Sequence, residues 1–134
     1  MDLQTFENKQ SAEQKKSFTQ ISKGKLLVIA GPCVVEGEKE LFEVADRVIG
    51  TCRDLDLPII FKASYKKANR SRIDSFTGIG DAKALDLLGQ VREKYGVQVI
   101  TDVHTAAEAA VAAEFVDVLQ IPAFLCRQTD LLVA

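Results

Sequence analysis

The stretch "LLVIAGP" at residues 26–32 decides the fold class. Five apolar residues follow one another without a polar break, and the run ends at Gly31-Pro32, two residue types that favour turns. An unbroken apolar run is typical of a strand covered on both faces, as in the parallel sheets of α/β proteins. We therefore predict a buried parallel strand at this point of the chain.

Helix and strand patterns alternate after this first strand. Further strands are predicted at residues 58–64, 97–103 and 116–124, and helices at residues 38–54, 81–96 and 105–115, with another helical pattern from Gln128 onward. Gly96 is a plausible helix end. Thr105 with Glu108 three residues later is a capping-box pattern that opens the third helix.

This alternation predicts an α/β fold with right-handed parallel crossovers. Two architectures fit: an open doubly wound sheet, and part of a (β/α)8 TIM barrel. The first strand is not followed by G-x-G-x-x-G, which weakens the dinucleotide-binding version of the open sheet. A complete barrel takes ~250 residues, so these 134 residues would supply about its first four βα units. We expect a polar N-terminal arm at residues 1–24 and the barrel half at residues 25–134.

Composition and charge exclude several classes of function. The formal net charge is −2, and 47% of the residues are hydrophobic, so no overall field favours nucleic acid or an anionic membrane. We expect neither as a partner. Three cysteines without a C-x-x-C pair do not suggest a disulfide framework, and the N-terminus lacks the apolar segment of a secretory signal. A cytoplasmic location is therefore expected.

Polar and charged residues follow each predicted strand at its carboxyl end. Parallel α/β proteins place their chemistry at this edge, because the loops after the strands converge there. The candidates are Cys33 and Glu36 after the first strand, Lys62, Ser64, Lys67, Asn69, Arg70 and Ser71 at the second, Asp102 and His104 at the third, and Gln120 and Arg127 at the fourth.

Most of these candidates have an ordinary structural reading as well. The segment "KKANRSR" at residues 66–72 is either a solvated basic loop or an anion site, in which arginine forks, lysine charges and neutral donors hold phosphate or carboxylate. Lys62 could merely extend its stem to solvent. His104 could be structural, although Asp102 would lie on the same face of the strand and could contact it.

The cysteines also allow more than one role. Cys33 is either a small buried hydrophobe or, from its place at a strand end, a metal ligand or nucleophile. Cys52 falls on the apolar face of a predicted helix and is expected in the core, whereas Cys126 could lie in the core or at the rim.

Four motifs resemble the 3-deoxy-D-manno-octulosonate 8-phosphate synthase family. They are "IAGPCVVE", "FKASYKKANRSRIDSFTGIG", "ITDVH" and "LQIPAFLCRQTDLL", and the match runs from about residue 26 to residue 134. "AGPC" alone is shared with the related 3-deoxy-D-arabino-heptulosonate 7-phosphate synthases, which carry a K-P-R-T type of sequence in place of "KANRS". The resemblance implies condensation of phosphoenolpyruvate with D-arabinose 5-phosphate, on the route to the Kdo of lipopolysaccharide.

The resemblance also implies roles for the strand-end residues. Lys67, Asp102 and His104 are implied as catalytic residues. The implied substrate-binding residues are Lys62 and Lys67 for phosphoenolpyruvate, Ser64 without a named substrate, Asn69, Arg70 and Ser71 for arabinose 5-phosphate, Gln120, Pro122, Ala123 and Phe124 in the pocket wall, and Arg127 at a phosphate site across a subunit contact. A homo-oligomer is implied, a tetramer in the full-length family. Small phosphorylated substrates are the expected partners.

A divalent metal cation is implied by Cys33, because the metal-independent branch of the family carries Asn at this position. The remaining metal ligands of the metal-dependent branch, a His, a Glu and an Asp, come from the second half of the barrel. We therefore expect the 134 residues alone to be inactive. Arg72, Asp74 and Thr77 depart from the usual family residues but leave "KANRS" intact.

Three alternatives remain open. One is another synthase on the same barrel, acting on the heptulosonate or on sialic acid. The second is a non-catalytic α/β anion-binding module. The third is nucleic-acid binding through residues 66–72, which lack interleaved aromatic residues.

Overall fold

Four parallel strands and the helices between them make up the fold of the computed structural model, which describes residues 18–67 and 78–134. The strands are β1 (Val28–Ala30), β2 (Ile59–Lys62), β3 (Gln98–Asp102) and β4 (Val118–Gln120). The helices are α1 (Phe18–Ser22), α2 (Glu38–Asp54), α3 (Asp81–Tyr95), α4 (Ala106–Ala112) and α5 (Thr129–Val133), with a 3-10 helix at Ala123–Leu125.

The order of the strands distinguishes the two predicted architectures. The sheet runs β1-β2-β3-β4, and every neighbouring pair is parallel. Each strand therefore lies beside the next strand of the chain. A doubly wound sheet reverses its strand order at a switch point, whereas a barrel adds its strands in sequence. The α/β prediction is confirmed, and the order is that of four consecutive βα units of a (β/α)8 barrel.

The core lies between the sheet and helices α2 and α3. The predicted apolar faces are confirmed: the buried side chains are Leu41, Ala45, Ile49 and Cys52 in α2, and Ala84, Leu85, Leu87, Leu88 and Val91 in α3. Phe61 in β2 and Val99 in β3 are fully buried in the same cluster. Burying a side chain of this size contributes about 1.5–3 kcal/mol, which anchors the strands whose ends carry the polar residues.

Element boundaries agree with the sequence where a turn residue sets them. Gly96 ends α3 in the left-handed region at φ 61°, as predicted. Helix α4 is shorter than residues 105–115, because the chain turns after Ala112 and the Phe115 N–H donates to the Ala112 carbonyl. The fourth strand also ends early, because Pro122 has no N–H for a sheet and a 3-10 helix begins at Ala123.

A membrane crossing needs a helix both longer and more apolar than any found in residues 18–67 and 78–134.

Candidate active site

The loop after β1 lies directly against the end of β2. A Cβ on Gly31 would stand 2.0 Å from the Lys62 carbonyl oxygen, so only glycine permits this approach. Three residues later Val34 bridges to Ser64, and the Val35 N–H donates to the Ser64 carbonyl at 2.9 Å. Cys33 is held between these two contacts and is exposed. The interpretation of Cys33 as a small buried hydrophobe is therefore wrong.

The ends of β2 and β3 bring Lys62, Ser64 and Asp102 together, and we call these three residues the strand-end cluster. Alternate residues of a strand share a face, which places Lys62 and Ser64 on the same side. The Lys62 Nζ donates to the Ser64 Oγ at 2.8 Å and lies 3.7 Å from Oδ1 of Asp102. The lysine head is thus directed along the strand ends, where it faces a carboxylate.

His104 extends this chain of polar groups. Its Nε2 lies 3.1 Å from Oδ2 of Asp102, which confirms the predicted contact between the two residues. The imidazole is only 9% exposed. The Tyr65 ring packs near it at a centroid distance of 6.2 Å. A buried ring held between a carboxylate and an aromatic face has a fixed orientation, which a proton-transfer group requires.

A second cluster, which the sequence did not predict as functional, lies on the other side of His104. It consists of Tyr65, Lys66 and Glu108, and we call it the Glu108 cluster. Oε2 of Glu108 accepts from the Tyr65 hydroxyl at 2.5 Å and from the His104 backbone N–H at 2.9 Å. Oε1 accepts from the Lys66 Nζ at 2.5 Å. The same carboxylate lies 3.4 Å from Nδ1 of His104.

These contacts shift the pKa values of the Glu108 cluster. Burial alone would raise the pKa of Glu108, but hydrogen bonds from Lys66, Tyr65 and the His104 backbone outweigh burial and lower that pKa to about 2. Burial and the hydrogen bond to Glu108 raise the pKa of Tyr65 far above its ordinary value. Burial opposes the charge of Lys66, but Glu108 and Asp81 more than compensate and raise its pKa. Glu108 and Lys66 are therefore charged near neutral pH.

The predicted capping box forms only in part. The Thr105 hydroxyl accepts from the Glu108 N–H at 3.4 Å, as the motif requires. The Glu108 carboxylate does not return to Thr105 but accepts from the preceding N–H, that of His104. The motif thus located Glu108 correctly at the start of α4. It gave no sign of the contacts to Tyr65 and Lys66, which come from another loop.

Two buried atoms at this site have no hydrogen-bond partner within the described part of the chain. They are Oδ1 of Asp102 and Nδ1 of His104. Oδ1 has only the Lys62 ammonium nearby, at 3.7 Å, and Nδ1 faces Glu108 outside hydrogen-bond geometry. Buried polar atoms without partners are uncommon in native proteins, and strain, a catalytic role, or a bound water or ion accounts for them. The strand-end cluster therefore has unused hydrogen-bonding capacity.

The other predicted site residues are placed as follows. Gln120 ends β4 in register with Asp102, and its backbone carbonyl accepts from the Val103 N–H at 3.0 Å. Pro122 is buried, Lys67 is half-buried, and Ala123, Phe124 and Arg127 are exposed. Asn69, Arg70 and Ser71 lie outside the described residues. Of the other cysteines, Cys52 is buried as predicted and Cys126 is exposed.

A metal site is not complete among these residues. Within residues 18–67 and 78–134, no three His, Cys, Asp or Glu side chains are grouped so that they could hold a metal ion. Cys33 is exposed at the strand ends and could supply one ligand. The described donors therefore fit a metal ion only as part of a larger set.

Comparison with known proteins gives one family and many close relatives. The sequence matches the DAHP synthetase I family over residues 7–134. It is 54% identical over 109 residues to the 2-dehydro-3-deoxyphosphooctonate aldolase of Desulfatibacillum aliphaticivorans, covering 81% of this chain and 40% of that protein. The Koribacter versatilis protein of the same name is 51% identical over 120 residues, covering 90% of this chain and 43% of the relative. The chain therefore spans less than half the length of the curated relatives it matches.

Proposed function

This chain belongs to the DAHP synthetase I family, and from that premise we propose that its protein condenses phosphoenolpyruvate with D-arabinose 5-phosphate. The products are 3-deoxy-D-manno-octulosonate 8-phosphate and inorganic phosphate. The names of the relatives at 54% and 51% identity support this choice of substrates. The motifs "KANRS" and "IPAFLCRQTDLL" support it independently.

The observation that carries the proposal is the strand-end cluster. Lys62 of β2 and Asp102 of β3 meet at 3.7 Å, and Oδ1 of Asp102 has no hydrogen-bond partner. Both proposed substrates are phosphorylated and one is also a carboxylate, so their binding requires cations at the ends of the strands. The Lys62 ammonium supplies such a charge, and the half-buried Lys67 at the start of the next loop supplies a second.

The reaction forms one carbon–carbon bond and consumes one water. C3 of phosphoenolpyruvate attacks the sugar aldehyde, water adds to C2, and the bond between C2 and the phosphate oxygen breaks, so that inorganic phosphate leaves with the electron pair. We assign Lys62 and Lys67 to the anionic groups of phosphoenolpyruvate and His104, held by Asp102, to proton transfer. Asn69, Arg70 and Ser71 are assigned to the sugar phosphate. Holding both substrates in this arrangement supplies much of the rate enhancement.

A divalent cation is part of the proposal, with Cys33 as one ligand. The exposed thiol lies beside the Lys62–Ser64 backbone, where a bound cation could polarise the aldehyde. The other ligands would come from outside the described residues. Metal content measured after dialysis tests this assignment: Cys33→Ala should lose its bound divalent metal, whereas Cys126→Ala, which removes another exposed thiol, should retain it.

A heptulosonate synthase is the second candidate, because the matching family carries that name. Phosphate release should be assayed with the protein made from its complete gene, with arabinose 5-phosphate or erythrose 4-phosphate as the acceptor. Faster turnover with arabinose 5-phosphate is expected, and preference for erythrose 4-phosphate would replace the proposal with this second candidate. The 134 residues alone should show no turnover, because no complete set of metal ligands is found in residues 18–67 and 78–134.

Oligomer and location complete the proposal. Arg127 is exposed beyond β4, which suits a phosphate contact across subunits of a homo-oligomer, and light scattering of the purified protein tests for a tetramer.

A cytoplasmic location is supported by three free cysteines, and cell fractionation tests it. Small phosphorylated molecules, and neither nucleic acid nor membrane, are the proposed partners.

A further inference from the structure

Glu108 joins two loops that follow neighbouring strands. Its carboxylate accepts from Tyr65 and Lys66, which lie in the loop after β2, and from the backbone N–H of His104, which lies in the loop after β3. Helix α4 does not need these contacts, because the Thr105 hydroxyl already caps it. The side chain of Glu108 thus holds together two segments that carry proposed site residues.

Lys66 extends the connection to the start of α3. Its Nζ lies 3.6 Å from Oδ2 of Asp81, the first residue of that helix, and 2.5 Å from Oε1 of Glu108. Gly78 also approaches this point, since a Cβ there would lie 2.9 Å from the Tyr65 carbonyl oxygen. Both ends of the connection between β2 and α3 are therefore held at one place, next to the Glu108 carboxylate.

We propose that Glu108 is a positioning residue, which fixes Lys66 and His104 relative to each other and so sets where Lys67 and the strand-end cluster meet the substrates. The inference rests on the proposed function, because it concerns the binding of anionic substrates. Lys67 directly follows Lys66, so a fixed Lys66 leaves Lys67 less conformational freedom to lose when a ligand binds, and the affinity is correspondingly higher. Glu108 acts through its neighbours and has no assigned contact with substrate.

The kinetic test uses Glu108→Gln, which keeps the size and the acceptor oxygen but removes the charge that holds Lys66. We expect the KM for phosphoenolpyruvate to rise about tenfold, because a charge-assisted hydrogen bond is lost, while kcat changes less. Lys66→Met should give the same rise, and the double variant should give no further rise, because both changes break one contact. Glu43→Gln is the matched control, since it breaks the exposed Lys39–Glu43 pair of α2.

A second measurement does not depend on activity. Trypsin must extract Lys66 from its ion pairs before it can cut after this residue. Cleavage at that bond, followed by mass spectrometry, should be roughly tenfold faster in Glu108→Gln than in the unaltered protein and unchanged in Glu43→Gln.

The two measurements separate the possible failures. If the unaltered protein shows no turnover on either acceptor, the proposed function is overturned. The trypsin result still tests the contact between Glu108 and Lys66. Normal turnover with an unchanged KM in Glu108→Gln overturns the positioning role, even if cleavage becomes faster. A KM rise of similar size in Glu43→Gln also overturns it, because the effect would then follow from general loss of charge.

Discussion

Two carboxylates, those of Asp102 and Glu108, flank His104, and they differ in how fully their oxygens are hydrogen-bonded. Glu108 accepts three hydrogen bonds through its two oxygens, from Tyr65, Lys66 and the His104 backbone. Asp102 contacts His104 through Oδ2, but its Oδ1 has no hydrogen-bond partner and lies 3.7 Å from the Lys62 ammonium. Since a buried polar atom without a partner costs free energy, the Asp102 arrangement is better suited to receiving a ligand than to stabilising the fold.

This difference between Asp102 and Glu108 distinguishes a group proposed to act in substrate binding from a group that holds neighbouring residues in place. The Glu108 cluster has its hydrogen bonds satisfied, so its removal should mainly affect stability and the positions of neighbouring residues. The strand-end cluster still has an oxygen without a hydrogen-bond partner, so the loss of one of its side chains should mainly affect substrate binding and turnover. Each prediction below changes one side of this comparison, beginning with the largest expected effect.

Lys62→Met should produce the largest loss of activity. The change removes the ammonium group that we assign to phosphoenolpyruvate, and it leaves Oδ1 of Asp102 without a nearby cation. Loss of one partner from a buried charge contact costs about 3 kcal/mol, so kcat/KM should fall about 100-fold. Steady-state phosphate release measures this value.

Lys83→Met provides the charge-matched control for this prediction, because Lys83 is exposed on α3. Its kcat/KM should stay within about twofold of the unaltered protein. If Lys62→Met also stayed within that range, the strand-end cluster would not be the substrate site, and the contrast with the Glu108 cluster would lose its functional meaning.

The sequence predicted the contact between Asp102 and His104 better than it predicted the Glu108 cluster. Asp102 and His104 lie two residues apart, and strand alternation places such residues on one face, so their contact could be expected from local geometry. Lys66 and Glu108 are 42 residues apart, and no local pattern relates them. Their contact depends on how far α4 begins beyond β3 and on where the chain turns after β2.

The same distinction holds for the fold. Apolar spacing predicted α2 and α3 with their buried faces, because each helix buries its own periodic stripe. The order of the four strands was not predictable from these patterns, since both barrels and doubly wound sheets contain alternating strands and helices. Only the pairing of β1 with β2, β2 with β3 and β3 with β4 distinguishes them.

Glu108→Gln should produce the second-largest effect, a loss of stability that depends on pH. The folded-state pKa of Glu108 is lowered to about 2 from an ordinary value of 4.5, so the charged form stabilises the fold above pH 4.5. The variant should lose about 2–3 kcal/mol of unfolding free energy at pH 7. The difference from the unaltered protein should shrink by roughly half at pH 3 and vanish below pH 2.

Urea unfolding at several pH values measures this difference, with Glu43→Gln as the exposed control. A constant difference between pH 7 and pH 3 would mean that the charge of Glu108 is not what stabilises the cluster. The contrast between the two carboxylates would then rest on shape alone.

Tyr65→Phe should have a smaller effect, because Glu108 keeps its contacts to Lys66 and His104. The buried hydroxyl of Tyr65 donates to Glu108 at 2.5 Å. Its loss should lower the unfolding free energy by about 1 kcal/mol. Tyr95→Phe is a close control, because the Tyr95 hydroxyl donates to Oδ1 of Asp46 at the same 2.5 Å, but on the exposed surface. Equal losses in the two variants would argue against any special role for the buried position.

The smallest effect should come from the exposed pair on α2, which sets the baseline for the other variants. Lys39 and Glu43 lie 3.8 Å apart, with side chains that are 81% and 66% exposed. Water screens such a pair, so Lys39→Met should change the unfolding free energy by less than about 0.5 kcal/mol. Urea unfolding at low and at high salt checks this value. A loss as large as that of Glu108→Gln would mean that charge removal anywhere on the chain is costly. The stability of the Glu108 cluster could not then be attributed to its burial and its three hydrogen bonds.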